Sequence, residues 1–366
     1  MYLTLWCQAL SGRCFSRYNH PSVPLRERLP AFVVLKTLTY GICFMLTLLW
    51  RTLLLFSLFI SLLSPVYGQS DSTPTTGFSG FSFLRLPATA RMAALGDLFP
   101  AWPADATGAM FYNPAFLNAS MHRQLSVSYL NHLTDIYAGT LAFSWHQKGV
   151  GSWGIGLRFI NYGTFEAANE QGIRTGTFGA SEGALSVGIG RSFQAIRYGL
   201  LLNLLFSRIE QYHAGALSVE AGMQYTPDQA TTVSASIHHI GWVFNSLGST
   251  RDRLPLDIRI GIARRLQHLP LHIGLTAYNL NNFSGTEQAF LRHLVWSGEF
   301  VFSPAFQIRV GYNFRRHEDL KTKSRLDFAG VSAGFGLRIH RFTLDYAFNS
   351  WSSTGSLHFF TLRTLL

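Results

Sequence analysis

Four histidines are the residues of this chain whose type and spacing could support chemistry. His238 and His239 are adjacent, and His213 and His272 lie within other patterned segments. Such imidazoles could bind a metal ion, or could act with serine and asparagine in a lipase-type site in the wall of a barrel. Adjacent residues on a strand point to opposite faces, so His238 and His239 are not expected to bind one ion. Few carboxylates lie near them in the sequence, and histidines without a catalytic role are therefore expected.

No nucleotide-binding or hydrolase motif accompanies these histidines in a suitable context. The chain has no P-loop, and no serine lies on the strand-to-helix turn that a nucleophile elbow requires. The pairs Gly188-x-Gly190 and Gly334-x-Gly336 lie within patterned segments that no helix follows, which indicates close packing in a sheet. We therefore predict that the protein is not an enzyme and binds neither a cofactor nor a metal ion.

One alternating unit recurs from about His122 to the C-terminus. The histidines named above lie within copies of this unit, so the unit shows which kind of element positions them. In its clearest copy the apolar set is Phe306, Ile308, Val310, Tyr312 and Phe314, and the interleaved set is Gln307, Arg309, Gly311, Asn313 and Arg315. A period of two places the two sets on opposite faces of a strand. An aromatic-rich outer face and a charged inner face are typical of a barrel that contacts lipid outside and encloses a polar lumen.

The composition agrees with a membrane barrel and argues against a typical soluble protein, a nucleic-acid-binding protein and a disulfide-containing protein. Charged residues make up 13% of the chain and aromatic residues 14%, whereas about a quarter of a typical soluble protein is charged. The formal net charge is +11, or +6 without residues 1–68. This mild positive charge suits a surface near anionic glycolipid but does not identify a partner, and no nucleic-acid partner is expected. Cys7, Cys14 and Cys43 all precede a predicted cleavage site, so no disulfide is expected in the mature chain.

Short and long connections alternate between the strand candidates. The short ones lie at 147–149, 194–196, 227–229, 267–270, 304 and 340–341, and the long ones at 163–180, 244–253, 281–292 and 316–327. This alternation is the signature of bacterial outer-membrane barrels with periplasmic turns and external loops. The sequence therefore predicts an all-β fold, a transmembrane antiparallel β-barrel of about fourteen strands with a short, partly helical N-terminal plug. An even strand number would leave both termini in the periplasm.

Three regions follow from these patterns. Residues 1–68 are expected to be an export signal with the apolar run Leu53–Leu63, and Met45 is a plausible true start, so that 1–44 would be a mis-called start. A transmembrane anchor is the alternative for this run. Residues 69–121 are expected to form a linker and a plug, with short helices near Ala88–Gly96 and Asp105–Tyr112, and 122–366 to form the barrel.

Charges of both signs are expected to face the lumen, among many small residues. The expected lumen-facing charges are Arg158, Glu220, Asp257, Arg259, Glu299, Arg309, Arg338 and Asp345. Balanced charges usually pair or hold a plug, so a filled, poorly conducting lumen is expected. The residues predicted to make plug or lumen contacts are Arg91, Asn113, Arg158, Glu220 and Arg309.

Two long loops are the predicted partner-binding surface. The first is the charged stretch that contains Arg315, Arg316, Lys321, Lys323 and Arg325, and it could contact anionic lipopolysaccharide or a protein. The second is the loop 163–180, where Phe165, Glu166 and Arg174 are the candidate contacts. A solvated loop without a partner is the alternative for the first of them.

Several stretches resemble a known family, the PorQ family of the Bacteroidota type IX secretion system. They are Leu84–Arg91 (LRLPATAR), Ala94–Gly96, Tyr112–Ala115 (YNPA), Gln124–Ala142, Phe159–Arg191 and Gly311–Phe348. This family of outer-membrane barrels is related to PorV and more distantly to the fatty-acid transporter FadL. The resemblance implies an integral outer-membrane protein without catalytic residues.

The resemblance also implies partners. A member of this family would hold a PorZ-like surface protein in an attachment complex with PorU-like and PorV-like components. That complex removes sorting domains from cargo and joins the cargo to lipopolysaccharide. Two other functions stay open at this point: a FadL-like transporter of hydrophobic compounds, and a barrel enzyme such as a phospholipase.

Overall fold

The structure is a computed structural model that describes residues 80–98, 101, 106–131, 135–169, 171–247, 252–282, 290–321, 328–351 and 355–366. The predicted export signal and the first part of the linker lie outside the described residues. In the described ranges, no helix is both long enough and apolar enough to cross a membrane.

Fourteen antiparallel strands close into one barrel in chain order within the described residues, and β1 pairs with both β2 and β14. The strands are β1 (Gln124–Asn131), β2 (Tyr137–Gln147), β3 (Gly151–Ala168), β4 (Arg174–Phe193), β5 (Ile196–Ile209), β6 (Tyr212–Tyr225), β7 (Thr231–Asn245), β8 (Asp257–Arg265), β9 (Leu271–Ala277), β10 (Leu294–Val301), β11 (Phe306–Asn313), β12 (Val331–Ile339), β13 (Phe342–Ser350) and β14 (Ser356–Leu365). The predicted all-β barrel with an N-terminal plug is confirmed.

The two ends of the barrel differ. At the turn end, where β1 starts and β14 ends, the strands are joined by short turns such as 148–150, 194–195 and 340–341. At the opposite end, called the loop end below, the connections are longer, and one of them contains the helix α2 (Phe314–Leu320). A short 3₁₀ helix, Leu280–Asn282, also lies at the loop end.

The predicted loop 163–180 is largely β-structure, which corrects its assignment as a loop. After a register shift between Asn161 and Thr164, residues of β3 pair with β4 as far as Ala168 opposite Arg174. Gly163 absorbs the bend with φ +78°. Thr164, Phe165, Thr177 and Phe178 lie in the paired part of this stretch, and threonine and phenylalanine fit a pleated strand. We call residues 164–179 the loop-end hairpin.

The outer wall of the barrel is apolar over its middle and aromatic near both ends. Leu141, Leu157, Leu185, Leu202 and Ile260 are among the exposed aliphatic side chains of the middle. The exposed aromatic residues near the turn end are Phe193, Tyr198, Tyr225, Phe302, Phe306 and Phe342, and those near the loop end are Tyr129, Tyr212, Trp242, Phe244, Trp296 and Phe348. Two aromatic belts around an apolar band are the surface of a transmembrane barrel.

The plug consists of the described residues between 80 and 121 and lies inside the barrel. It contains the helix α1 (Ala90–Ala94) and the 3₁₀ helices Ser82–Arg85, Thr107–Phe111, Pro114–Phe116 and Ala119–Met121. The Thr89 side chain caps α1 by accepting a hydrogen bond from the Met92 N–H. The Ala90 N–H donates to the Thr361 hydroxyl of β14 at 2.8 Å, which joins α1 to the wall. Ala90, Ala93 and Ala94 are fully buried.

Wall glycines allow the plug backbone to approach the strands closely. A Cβ on Gly199 of β5 would lie 2.5 Å from the Pro114 carbonyl oxygen, and one on Gly311 of β11 would lie 2.2 Å from the Gly96 nitrogen. Both neighbouring atoms are backbone atoms, so they cannot move aside as a flexible side chain would. The plug and the wall therefore fit each other through the absence of these side chains.

Candidate functional site

A chain of buried charges joins the plug to four strands of the wall. Glu299 of β10 accepts hydrogen bonds from Arg91 of α1 at 2.9 Å and from Arg309 of β11 at 2.6 Å. Arg309 also donates to Asp345 of β13 at 2.6 Å, and Arg363 of β14 pairs with the same carboxylate at 3.1 Å. All five side chains are buried. Removing one of the five charged residues would leave another buried charge without its partner. These ion pairs therefore hold the plug in one position.

Arg158 of β3 holds the first turn of the plug. Its guanidinium donates to the backbone carbonyls of Phe83, Leu84 and Leu86 at 3.2, 3.3 and 2.6 Å. Phe83 and Leu84 belong to the helix Ser82–Arg85, and Leu86 is its C-cap residue. The Phe83 carbonyl also accepts from the Leu86 N–H at 3.0 Å, so Arg158 adds a second donor there and supplies donors to the other two carbonyls at the end of the helix. The guanidinium also lies over the rings of Phe83 and Phe111. Arg158 therefore acts as a cap supplied by the barrel wall.

Asn113 fixes the middle of the plug. Its Oδ1 accepts from the Ala115 N–H at 2.9 Å and caps the helix Pro114–Phe116, while its Nδ2 donates to the carbonyls of Met223 and Ala235 at 3.4 Å. Four of the residues predicted to make plug or lumen contacts, Arg91, Asn113, Arg158 and Arg309, thus touch the plug or the charge chain that holds it. The fifth, Glu220, lies in a second polar cluster.

The prediction that His238 and His239 point to opposite faces is wrong. The pairing of β6 with β7 shifts register between Val219 and Ala221, and His239 has φ +60°. This β-bulge turns both imidazoles inward, where they are buried. Glu220 lies between them, 2.6 Å from His238 Nδ1 and 3.1 Å from His239 Nδ1. Glu220 is distant from the pair in the sequence and reaches both imidazoles because β6 lies beside β7.

Glu220, His238 and Ser236 are linked in the order of a catalytic triad, but all three are buried. His238 Nε2 lies 2.8 Å from the Ser236 hydroxyl, and its Nδ1 faces Glu220. All three side chains are buried beneath the plug residue Tyr112, whose ring centroid is 6.2 Å from that of His238. None of the loop-end cavities described below includes Ser236 in its lining. A substrate would therefore have to displace the plug to reach the hydroxyl.

The other two histidines do not join this cluster. His213 lies near the loop end of β6, and His272 of β9 has its Nδ1 3.8 Å from Glu299. Within the described residues, no group of three histidine, cysteine, aspartate or glutamate side chains is arranged to hold a metal ion. The polar cluster at Glu220 also includes Asn203, whose amide donates to the carboxylate at 3.0 Å. Its geometry is that of a buried hydrogen-bond network.

In the charged connection that follows β11, Arg316 points into the barrel and Arg315 lies at the surface. Arg316 is buried, forms an ion pair with Asp97 of the plug and donates to the Ser332 hydroxyl at 2.6 Å. It therefore ties the plug to the wall rather than facing a partner. Arg315 and Lys321 are partly exposed and pair within the α2 region with Asp319 and Glu318, respectively. Lys323 and Arg325 lie outside the described residues.

The loop-end hairpin presents the second predicted surface. Phe165 stacks on Phe178 with ring centroids 5.4 Å apart, and Glu166 pairs with Arg174 at 2.9 Å. Phe165, Glu166 and Arg174 are exposed, so the three predicted contact residues share one projecting element. The Glu210 N–H donates to the Gly179 carbonyl at 3.1 Å, and among the described residues 174–178 of β4 have no paired residue in β5, so this edge of the hairpin is unpaired. A cavity of about 830 Å³ lies at its base, with Asn161, Arg208 and Glu210 in its mainly polar lining.

Sequence reasoning missed two charged residues that help to hold the plug. Asp97 follows α1 and pairs with Arg316, and Arg363 of β14 belongs to the chain of buried charges. Residues two apart share a face of a strand. Because Thr361 faces the lumen, the same spacing places Arg363 on the lumen face of β14.

Comparison with known proteins identifies the architecture. No protein-family model matches the chain, and no curated protein matches its sequence. The TodX deltaS2S3 mutant, a monoaromatic hydrocarbon channel, aligns with a TM-score of 0.50 and 11% identity over 75% of this chain and 96% of that chain. The Pseudomonas putida toluene transporter TodX gives a TM-score of 0.48 and 11% identity over 78% and 97%, respectively. A Pseudomonas aeruginosa FadL homologue gives 0.46 and 10% over 75% and 97%, respectively.

At 11% identity the likeness to the deltaS2S3 channel concerns the fold. Together with the two aromatic belts and the apolar band, it identifies this chain as an outer-membrane β-barrel. Within this fold the chain has a plug that is fixed by buried charges and a hairpin that projects at the loop end.

Proposed function

We propose that this protein is a non-enzymatic docking barrel of the type IX secretion system. In this proposal it holds a PorZ-like protein at the cell surface, next to PorU-like and PorV-like components of the attachment complex. The barrel anchors the protein in the membrane, and the loop end is the surface that binds the partner protein. The lipid around the barrel and lipopolysaccharide are its membrane partners.

The observation that carries the proposal is the filled lumen. Arg91, Arg158 and Arg316 each join the plug to the wall, and the plug core residues Met110 and Phe116 are completely buried. A barrel filled in this way gives little room for passage, so its exposed features must account for its function. The resemblance of the plug and loop-end stretches to the PorQ family supports docking as that function.

The loop-end hairpin and α2 are the elements we assign to partner contact. The hairpin offers the edge of residues 174–178, which has no paired residue among the described residues of β5, and the exposed Phe165, and both suit addition of a strand from a partner. Arg315 and Lys321 on or next to α2 offer exposed positive charge. In this proposal both termini lie in the periplasm, so the loop end faces the outside of the cell.

The test is co-purification of a PorZ-like protein from outer membranes. Replacing residues 164–179 by a two-residue turn should abolish co-purification while the barrel still shows heat-modifiable migration in gels. The matched control exchanges residues 148–150 at the turn end for another three-residue turn and should keep the partner. Full retention by the folded, hairpin-deleted barrel would contradict the proposal, and so would absence of such a partner from the unmodified protein.

A second candidate is transport of hydrophobic compounds, which the solved structures favour over docking. The aligned barrels are described as a hydrocarbon channel and a toluene transporter, and their fold is the one seen here. Transport would require the plug to move or a passage to open through the wall. Uptake of a labelled monoaromatic compound by cells with and without this protein distinguishes the two candidates. Equal uptake removes the second candidate, and uptake that depends on this protein favours it.

A further inference from the structure

We propose that the loop end carries a binding site for an oxyanion of the phosphate class, held between Arg85 of the plug and Arg315 of α2. Both side chains line a cavity of about 190 Å³. The cavity lies between the plug, the first residues of β8, the segment after β9 and the start of α2. Because one water molecule takes up about 30 Å³ in the liquid, the cavity has room for a phosphate group and some of its water.

The carboxylates in the lining already have cationic partners. Asp257 accepts from Arg259 Nε at 2.6 Å and from the Asn279 N–H at 2.6 Å. Asp97 forms its ion pair with Arg316, which reaches it from the side of the wall. Neither aspartate forms an ion pair with Arg85 or Arg315, although the negative charge of Asp257 partly offsets the positive charge of Arg85.

Two guanidinium groups remain without full compensation. Within the described part of the chain, the Arg85 side chain makes no hydrogen bond or ion pair. Arg315 lies 3.4 Å from Asp319, but that carboxylate is shared with Arg292. Arg85 is open to solvent on one side, but desolvation of its guanidinium within the cavity and, next, the positive charge of Arg315 lower its pKa from the ordinary value, while the charge of Asp257 opposes them. The local electrostatics therefore favour an added anion.

The geometry suits a phosphate group that arrives from outside the barrel. Arg85 is exposed, and the Arg315 side chain retains 37% of its accessible surface. A second cavity of about 300 Å³ shares Tyr278, Asn313 and Arg315 with the first and extends along α2. Tyr278 donates to Asn313 Oδ1 at 3.2 Å, which fixes the shared wall. Guanidinium groups bind phosphate oxygens in pairs, so two of them can hold separate edges of one tetrahedral anion.

The phosphate could come from two sources, free phosphate or the phosphorylated head group of a glycolipid in the surrounding membrane. The test titrates the full-length protein in detergent with inorganic phosphate, with lipid A micelles, and with lipid A whose phosphates have been removed. The variants are Arg85→Gln, Arg315→Gln and the double variant. Arg174→Gln is the matched control, because Arg174 is an exposed arginine of the same end that lies outside the cavity. Heat-modifiable gel migration verifies that each variant is folded.

We expect binding of at least one phosphate-bearing probe, with a Kd roughly tenfold weaker for each arginine removed and unchanged in Arg174→Gln. Binding of inorganic phosphate identifies a site for the free anion. Binding of phosphorylated lipid A alone identifies a glycolipid site. The proposal is overturned if no phosphate-bearing probe binds, if dephosphorylated lipid A binds equally well, or if the double variant binds as the unmodified protein does.

Discussion

The guanidinium of Arg309 on β11 reaches the carboxylate of Asp345 on β13, with Nη1 and Oδ1 2.6 Å apart, although β12 lies between the two strands. Gly336 is the β12 residue at the crossing. A Cβ at this position would lie 2.7 Å from Arg309 Nη2 and 2.7 Å from Asp345 Oδ1. The absence of one side chain thus allows the charge chain from the plug to continue around the inner wall.

Gly336→Ala is expected to destabilise the barrel by about 1–3 kcal/mol, because the new methyl group would push the ion pair apart in a packed interior. The measurement is the free energy of unfolding by urea in the presence of lipid vesicles. Gly298→Ala is the control, because there the nearest atom would lie at 3.3 Å on the Val310 side chain and no ion pair crosses. Equal effects of the two substitutions would show that the crossing carries no special strain.

Glu220→Ala is expected to cost about 3–5 kcal/mol of unfolding free energy, because it leaves His238 and His239 buried without their shared carboxylate. Vesicle-coupled urea unfolding measures the loss. Glu210→Ala provides the comparison, since Glu210 lies exposed in a loop-end turn and should change stability by less than about 0.5 kcal/mol. A change below 1 kcal/mol for Glu220→Ala would refute a structural role for this cluster.

Ser236 is expected to resist a fluorophosphonate probe in the folded protein, because its hydroxyl is buried beneath the plug. Mass spectrometry of the treated protein gives the readout. A serine hydrolase with the same probe verifies that the reagent is active. Stoichiometric labelling that Ser236→Ala removes would identify a reactive nucleophile and contradict the non-enzymatic account.

Arg158→Met is expected to loosen the first turn of the plug, because three backbone carbonyls lose the cationic donor that caps them. Hydrogen exchange of the amides between residues 82 and 86 should become faster by roughly tenfold or more. Arg191→Met, at the turn end, should leave these amides unchanged. Unaltered exchange in Arg158→Met would mean that hydrophobic packing alone fixes this turn.

The strand pattern could be predicted because a barrel repeats one physical constraint. Every strand must present apolar residues to lipid and polar or small residues to the lumen, so alternation marks each strand and Gly/Pro-rich or polar stretches mark the turns. The copy at 306–315 shows the rule, although Phe314 starts α2 rather than extending β11. The helix α1 could be predicted because alanine favours a helix and Gly96 marks its end. In the structure Gly96 has φ +90°.

The polar clusters could not be predicted in the same way, since they depend on register. The bulge that turns His239 inward arises from the pairing of β6 with β7, and nothing in the sequence near His239 specifies it. The sequence predicts a loop at 163–180 from the spacing of the strand candidates, whereas pairing such as that between Phe165 and Phe178 continues β3 and β4 into this stretch. Arg316 is directed inward because the Asn313 side chain caps the first turn of α2.

The filled lumen is the claim on which the account most depends, and single-channel current recording in planar bilayers tests it most directly. The unmodified protein should show no stable open level, whereas Gly311→Leu should conduct, because its side chain would occupy the space of the plug backbone at Leu95 and Gly96. A steady open level for the unmodified protein, equal to that of Gly311→Leu, would contradict the account.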